Sequence, residues 1–213
     1  MKLKILNLIL LLTAFVMPLM VYPKLPEMIP MHWNIKGEVD SYQAKQTAVW
    51  MLPGIVLLMW GLFQVLPKLD PKREKYKQFW PEWQTLQTLL LGLFVYLDGV
   101  TLYIALNPGK EMTPLMFAGM GIMFAVMGNL LPKIRQNFFV GIKLPWTLAD
   151  EENWNKTHRL GGWCFVAVGI MFLVQAIKAI FVPELLFAVM LLTIIIPVGY
   201  SGWLYKQKKS GKI

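Results

Sequence analysis

Charge, cysteine and histidine are what this chain has least of. Only 15% of its 213 residues are charged and 56% are hydrophobic, whereas a soluble domain carries about 25% charged residues. A surface of ordinary polarity facing water on all sides is therefore excluded, and lipid is needed to cover the apolar residues. The single cysteine, Cys164, leaves no internal disulfide and no cysteine-based metal cluster within one chain. It reads as a small apolar residue in a helix. Acidic residues are also scarce, 12 Asp and Glu against 21 Lys and Arg, for a formal net charge of +9. The basic residues lie between apolar runs, where they orient a chain in a bilayer, so no direct nucleic-acid partner is expected.

Long apolar runs are abundant. Six approach or reach the roughly 20 residues needed to cross a bilayer, at about 5–22, 48–67, 82–104, 114–131, 160–182 and 185–205. Backbone groups must be satisfied internally in hydrocarbon, so these are expected to be helices. The first resembles a signal peptide but lacks a small-x-small cleavage pattern, and reads as a retained helix. The fold class expected is all-α, one polytopic membrane domain of six helices spanning 1–213.

The positive charges then set an orientation. With the N-terminus cytoplasmic, the inside segments carry Lys2 and Lys4; Lys68, Lys72, Arg73, Lys75 and Lys77; Lys133, Arg135, Lys143, Lys156 and Arg159; and Lys206, Lys208, Lys209 and Lys212. The outside keeps only Lys24, Lys36, Lys45, Lys110 and Lys178. This bias predicts both termini in the cytoplasm.

Two polar segments remain long enough for specific chemistry. The external loop, 23–47, has three prolines within eight residues (Pro23, Pro26, Pro30), which favour an extended path. Asn34, Gly37 and Asp40 are turn formers, so a compact turn is expected there, with His32 and Asn34 hydrogen-bonded to backbone. Trp33 reads first as an interfacial anchor. His32 has no second histidine or cysteine on its side, so no metal site is expected. In the cytoplasmic loop, 132–159, Phe138 and Phe139 are expected at the lipid interface with Lys143 reaching phosphates. Thr147 is expected to cap a helix, with Asp150 closing a capping box. On that helix Glu151, Trp154 or Asn155, and His158 share a face that could bind a ligand. The orientation puts His32 and His158 on opposite sides, which removes most enzyme classes.

Inside the spans, Asp98 is the one carboxylate well within a helix, and Lys178 is placed at similar depth. An intramembrane ion pair between them is expected.

Both loop segments carry a resemblance. "LPEMIPMHWNIKGEVD" is similar to the L-P-x-x-I-P-x-H-W-N-x-x-G-x-x-D signature of SdpI-type membrane proteins. "NFFVGIKLPWTLADEENWNKTHR" resembles that family's second signature, N-x-x-x-G-I-[RK]-x-P-W-T-L-x-[DS]-x-x-x-W-x-x-x-[HN]-R, with Lys143 where arginine is common. The resemblance implies a bacterial plasma-membrane protein whose namesake gives immunity to a secreted toxic peptide and signals by holding a cytoplasmic transcriptional repressor at the membrane. Its outer signature would comprise Pro30, His32, Trp33, Asn34, Gly37 and Asp40. Its inner one would comprise Asn137, Gly141, Lys143, Pro145, Trp146, Thr147, Leu148, Trp154, His158 and Arg159. Partners implied are membrane lipid, a toxin peptide outside and a repressor inside; no cofactor and no catalytic residue is expected. The alternatives are a small transporter or channel using Asp98, and an interfacial enzyme using His158 and Glu151.

Overall fold

The computed structural model describes residues 2–34 and 37–211. Ile35 and Lys36, within the first signature, and Lys212 lie outside the described residues.

Among the described residues, six helices are long and apolar enough to cross a membrane. They are α1 (Lys2–Val21), α2 (Lys45–Leu69), α3 (Trp80–Leu106), α4 (Thr113–Leu130), α6 (Glu151–Lys178) and α7 (Pro183–Lys209), with α5 a single short turn (Pro145–Ala149). The chain is thus a multi-pass, helical membrane protein. Its low charge and long apolar runs have one physical outlet: helices that pair every backbone group internally while their side chains face lipid. Leu12, Met20, Leu58, Trp163, Ile194 and Ile195 are accordingly among the large apolar side chains left uncovered.

One regular element is not helical. Met28–Trp33 (β1) and Val39–Ala44 (β2) form an antiparallel hairpin, registered Met28↔Ala44 to Trp33↔Val39, with irregularities on either side of His32. The prolines do give an extended path here, but pairing with β2 turns it into a strand. Pro30, which has no N–H to donate, pairs with Tyr42 beside the first irregularity.

The helices pack in two groups that share α3. Helices α1, α2 and α3 form one bundle, with Ala14, Val56, Leu91 and Val95 at its centre. Leu25 and Ile29 of the hairpin arm close it at one end against Ala48, Val49, Leu102 and Ala105. Beyond α3 the order runs α4, α6, α7. The α4–α6 contact is the closest, because glycines face each other across it. A Cβ on Gly128 would lie 2.6 Å from the Gly162 carbonyl oxygen, and one on Gly162 would lie 2.6 Å from that of Gly128. Gly121 and Gly169 repeat the arrangement seven residues away in the opposite sense, so the helices are antiparallel.

Candidate functional site

The first signature divides into an anchored side and a presented side. Leu25 and Ile29 are buried against α2 and α3. Trp33 packs on the cluster of Val100, Ile104 and Met112, where α3 hands over to α4. Its ring is thus a clamp on the protein. Gly37 has φ +81°, and any side chain there would collide with Thr113 at the start of α4. Asn34 accepts from Glu38 N at 3.1 Å through Oδ1 and donates to Glu38 Oε2 at 2.9 Å. Its carbonyl accepts from Gly37 N at 2.9 Å.

His32 and Asp40 are on the presented side. His32 Nδ1 meets Asp40 Oδ1 at 2.5 Å, so the histidine bonds across the strands to a side chain instead of to backbone. Both are largely exposed, as are Met28, Ser41 and Tyr42. At the base of the hairpin, Lys45 bonds Glu27 at 2.8 Å and holds that carboxyl below its usual range.

The second signature is closed on itself at the opposite end of the bundle. Gly141 adopts φ +122°, and its missing side chain lets the backbone lie directly on the rings of His158 and Trp154. Those rings stack with centroids 4.0 Å apart. Ile142 N donates to His158 Nε2 at 2.9 Å, while the ring's Nδ1 faces the Trp154 carbonyl at 2.8 Å. Since a backbone N–H can only donate, the ring proton sits on Nδ1 and the tautomer is fixed. Trp154 Nε1 donates to Ile134 O at 2.8 Å. Both Trp154 and His158 are fully buried, and Glu151 on the same helix is exposed and bonded to Lys75 at 2.7 Å. Of the ligand-binding helix face anticipated from Glu151, Trp154 or Asn155, and His158, Trp154 and His158 are therefore closed to a ligand.

The helix start also differs. Thr147 lies within α5, where its Oγ accepts from Leu144 N at 2.8 Å and is 2.9 Å from the Ile142 carbonyl it can donate to. The N-cap of α6 is Asp150, which accepts from Glu152 N at 3.1 Å. Pro145 starts α5, and Asp150 in extended conformation ends it and opens α6. Asp150 also receives Lys208 at 2.9 Å. Its burial would raise its pKa, but Lys208 and the Glu152 and Asn153 backbone donors outweigh that and hold the carboxyl low.

Long-range bonds tie this loop to the bundle. Asn137, fully buried, accepts from Phe139 N and Val140 N and donates to Arg135 O and Val140 O. Trp146 Nε1 donates to Ser201 Oγ at 2.7 Å, Ser201 donates to Asn153 Oδ1 at 2.6 Å, and Asn153 returns a bond to Ser201 O. Asp70, buried after α2, accepts from Lys72 N, Tyr76 OH and Phe138 N. Burial and the bond to Asp70 push the Tyr76 phenol well above its ordinary value. Lys72 donates to Gln136 Oε1 and Leu148 O. Asp70, Gln136, Asn153 and Ser201 were missed in the sequence. A proline after Asp70 hinted at a turn, but nothing local marked the others.

What the second signature leaves outside is small. Phe138, Lys143, Pro145 and Arg159 are exposed, while Phe139 is partly covered. Lys143 folds back onto the Phe139 carbonyl at 3.0 Å. Asp98 and Lys178 are not brought together: Asp98 is buried in α3, Lys178 is exposed at the last residue of α6, and no bond joins them. The expected ion pair fails because Asp98 faces α1 and α2, whereas α6 packs on α4.

Residues 133–201 match the SdpI/YfhL protein family, and residues 9–57 match a domain of unknown function, DUF1648. The chain is similar to "Immunity protein SdpI" of Bacillus subtilis (strain 168), 24% identical over 214 residues and covering 99% of each chain. No solved structure matches.

Proposed function

We propose, on the premise that this chain is an SdpI-type membrane protein, that it gives a bacterial cell immunity to a secreted toxic peptide, with the hairpin outside and both termini in the cytoplasm. The observation that carries this is the division of labour between the two signatures. The second is buried and satisfied by its own hydrogen bonds, whereas the first is anchored through Ile29 and Trp33 and presents His32, Asp40 and Tyr42 to solvent. The orientation rests on the distribution of Lys and Arg. Engagement of the toxin by the hairpin face, at the membrane surface where such a peptide arrives, is the recognition step.

At the cytoplasmic end a repressor would meet the exposed fringe of the second signature: Phe138, Lys143, Pro145 and Arg159. The remainder, buried Asn137, Thr147, Trp154 and His158 with partly buried Gly141 and Trp146, positions that fringe. We read the protein as non-enzymatic. His158 is sealed by Ile142 and Trp154 and closed to a substrate, and His32 with Asp40 is read as part of the recognition face.

The test is survival under challenge with the toxin, at matched membrane levels of protein. His32→Ala combined with Tyr42→Ala is expected to lose protection while keeping the fold. Full protection by that double variant would overturn the hairpin as recognition surface. Unchanged sensitivity on deletion of the gene would overturn immunity altogether.

A further inference from the structure

Asp98 is the only acid in the interior of a spanning helix, and it has been left without a donor. It lies on the face of α3 that includes Leu91, Val95, Leu102 and Ala105, which packs on α1 and α2. It is 3% exposed, and its Oδ2 has no hydrogen-bond partner. Among the described residues, no side-chain cation is bonded to it. Helix α1 has no charged residue beyond Lys4, α2 has none between Lys45 and Lys68, and α4 has none at all. On α3 itself the only other charge is Glu82, more than four turns away.

Its depth coincides with two helix prolines. A Cβ on Gly99 would touch Met17 Sδ at 3.5 Å, which sets residue 17 of α1 level with residue 99. Ala14 and Val56 pack with Leu91 and Val95 on one side of Asp98, and Val49 packs with Leu102 on the other. Asp98 is therefore level with residues 14–18 of α1 and 49–56 of α2. Each stretch contains a buried proline, Pro18 and Pro53. Proline has no N–H, so the carbonyls of Ala14 and Val49 lose their helical donors. Thr101, one turn along α3 and 7% exposed, makes no hydrogen bond to any described residue.

We propose that Asp98, the Ala14 and Val49 carbonyls and the Thr101 hydroxyl form an intramembrane site for one positive charge, a proton or a sodium ion. All the ligands are hard oxygens and together carry one negative charge, which suits a monovalent guest. Backbone carbonyls that lack a helical donor are suitable acceptors for such ions at mid-membrane, and intramembrane acids mark their paths.

The test uses the full-length protein in nanodiscs. Its thermal midpoint is titrated with NaCl against choline chloride at fixed ionic strength, and with pH in choline, while the carboxyl stretch is followed by infrared difference spectroscopy. Saturable stabilisation by sodium assigns the ion. A carboxyl band that responds to pH alone assigns the proton. In either case the response is expected to vanish in Asp98→Asn. Pro53→Ala returns a donor to the Val49 carbonyl and strengthens the helix, so it is expected to fold and to weaken binding about tenfold or more. A wild-type response to sodium and pH identical to that of Asp98→Asn would overturn the site. So would undiminished binding in Pro53→Ala, should the Asn variant fail to fold. Neither result bears on the hairpin, so immunity and cation binding fail separately.

Discussion

Ile142 N–H donates to His158 Nε2 at 2.9 Å, and that bond passes over the one residue, Gly141, that could not carry a side chain there. The second signature is organised around this contact: the glycine lets the backbone approach, the histidine receives it, and Trp154 supports the ring from its other face. Its residues are a clasp between the loop and α6.

Substituting Gly141 with Ala is expected to break the clasp, because a Cβ would collide with His158 and the backbone has φ +122°. The cost expected is about 1–3 kcal/mol from strain at such a position. His158→Ala removes the acceptor for Ile142 N, with a similar penalty of about 1–3 kcal/mol for the orphaned donor. Thermal unfolding of purified variants checks both. A wild-type midpoint for either would contradict the structural role.

Ser201→Ala is expected to cost about 1–3 kcal/mol, since Trp146 Nε1 loses its acceptor and Asn153 Oδ1 one donor. Because the three residues form one network, Trp146→Phe and Ser201→Ala should be clearly non-additive. A double-mutant cycle on stability measures the coupling, and simple additivity would disprove the network.

Glycines in different surroundings should respond oppositely. Gly162→Ala forces a methyl against the Gly128 carbonyl and Pro132, and overpacking of this kind costs about 1–3 kcal/mol. Gly54 in α2 has open space around it, so Gly54→Ala is expected to be neutral or to gain about 0.5–1 kcal/mol from lower chain entropy. Comparing the two midpoints tests whether glycine at the α4–α6 contact serves close approach.

His32→Ala and Asp40→Ala should leave stability within about 1 kcal/mol, because the pair is solvent-exposed. Trp33→Ala, in contrast, removes the clamp on α3 and α4 and should destabilise the hairpin. Protease sensitivity of the hairpin separates the two classes: accelerated cleavage is expected for Trp33→Ala alone.

Acid should loosen the α6 cap. Asp150 is held below its ordinary value in the folded protein, so its contribution is full above the unfolded value of about 4. It is lost as pH falls through the lower folded value. The thermal midpoint of the wild type is expected to fall on acidification through that window, and that of Asp150→Asn to fall less. Parallel profiles would show that the Lys208–Asp150 contact contributes nothing.

The sequence by itself determined the membrane class, the six helices and the two segments with specific chemistry, because charge deficit and apolar run length act along the chain and need no tertiary partner. It misplaced Asp98 with Lys178, took Thr147 for the helix cap that Asp150 supplies, and did not reveal that Trp33 packs on α3 and α4. Only the tertiary structure decided these, since each depends on how the packed helices meet, and much of the hydrogen bonding around the second signature is made to residues far away in sequence. Ser201 lies 48 residues from Asn153, Phe138 lies 68 from Asp70, and Leu148 lies 76 from Lys72. A buried polar atom takes whichever donor the packed helices bring to it, and α3 turns Asp98 toward two proline-containing helices instead of toward a lysine.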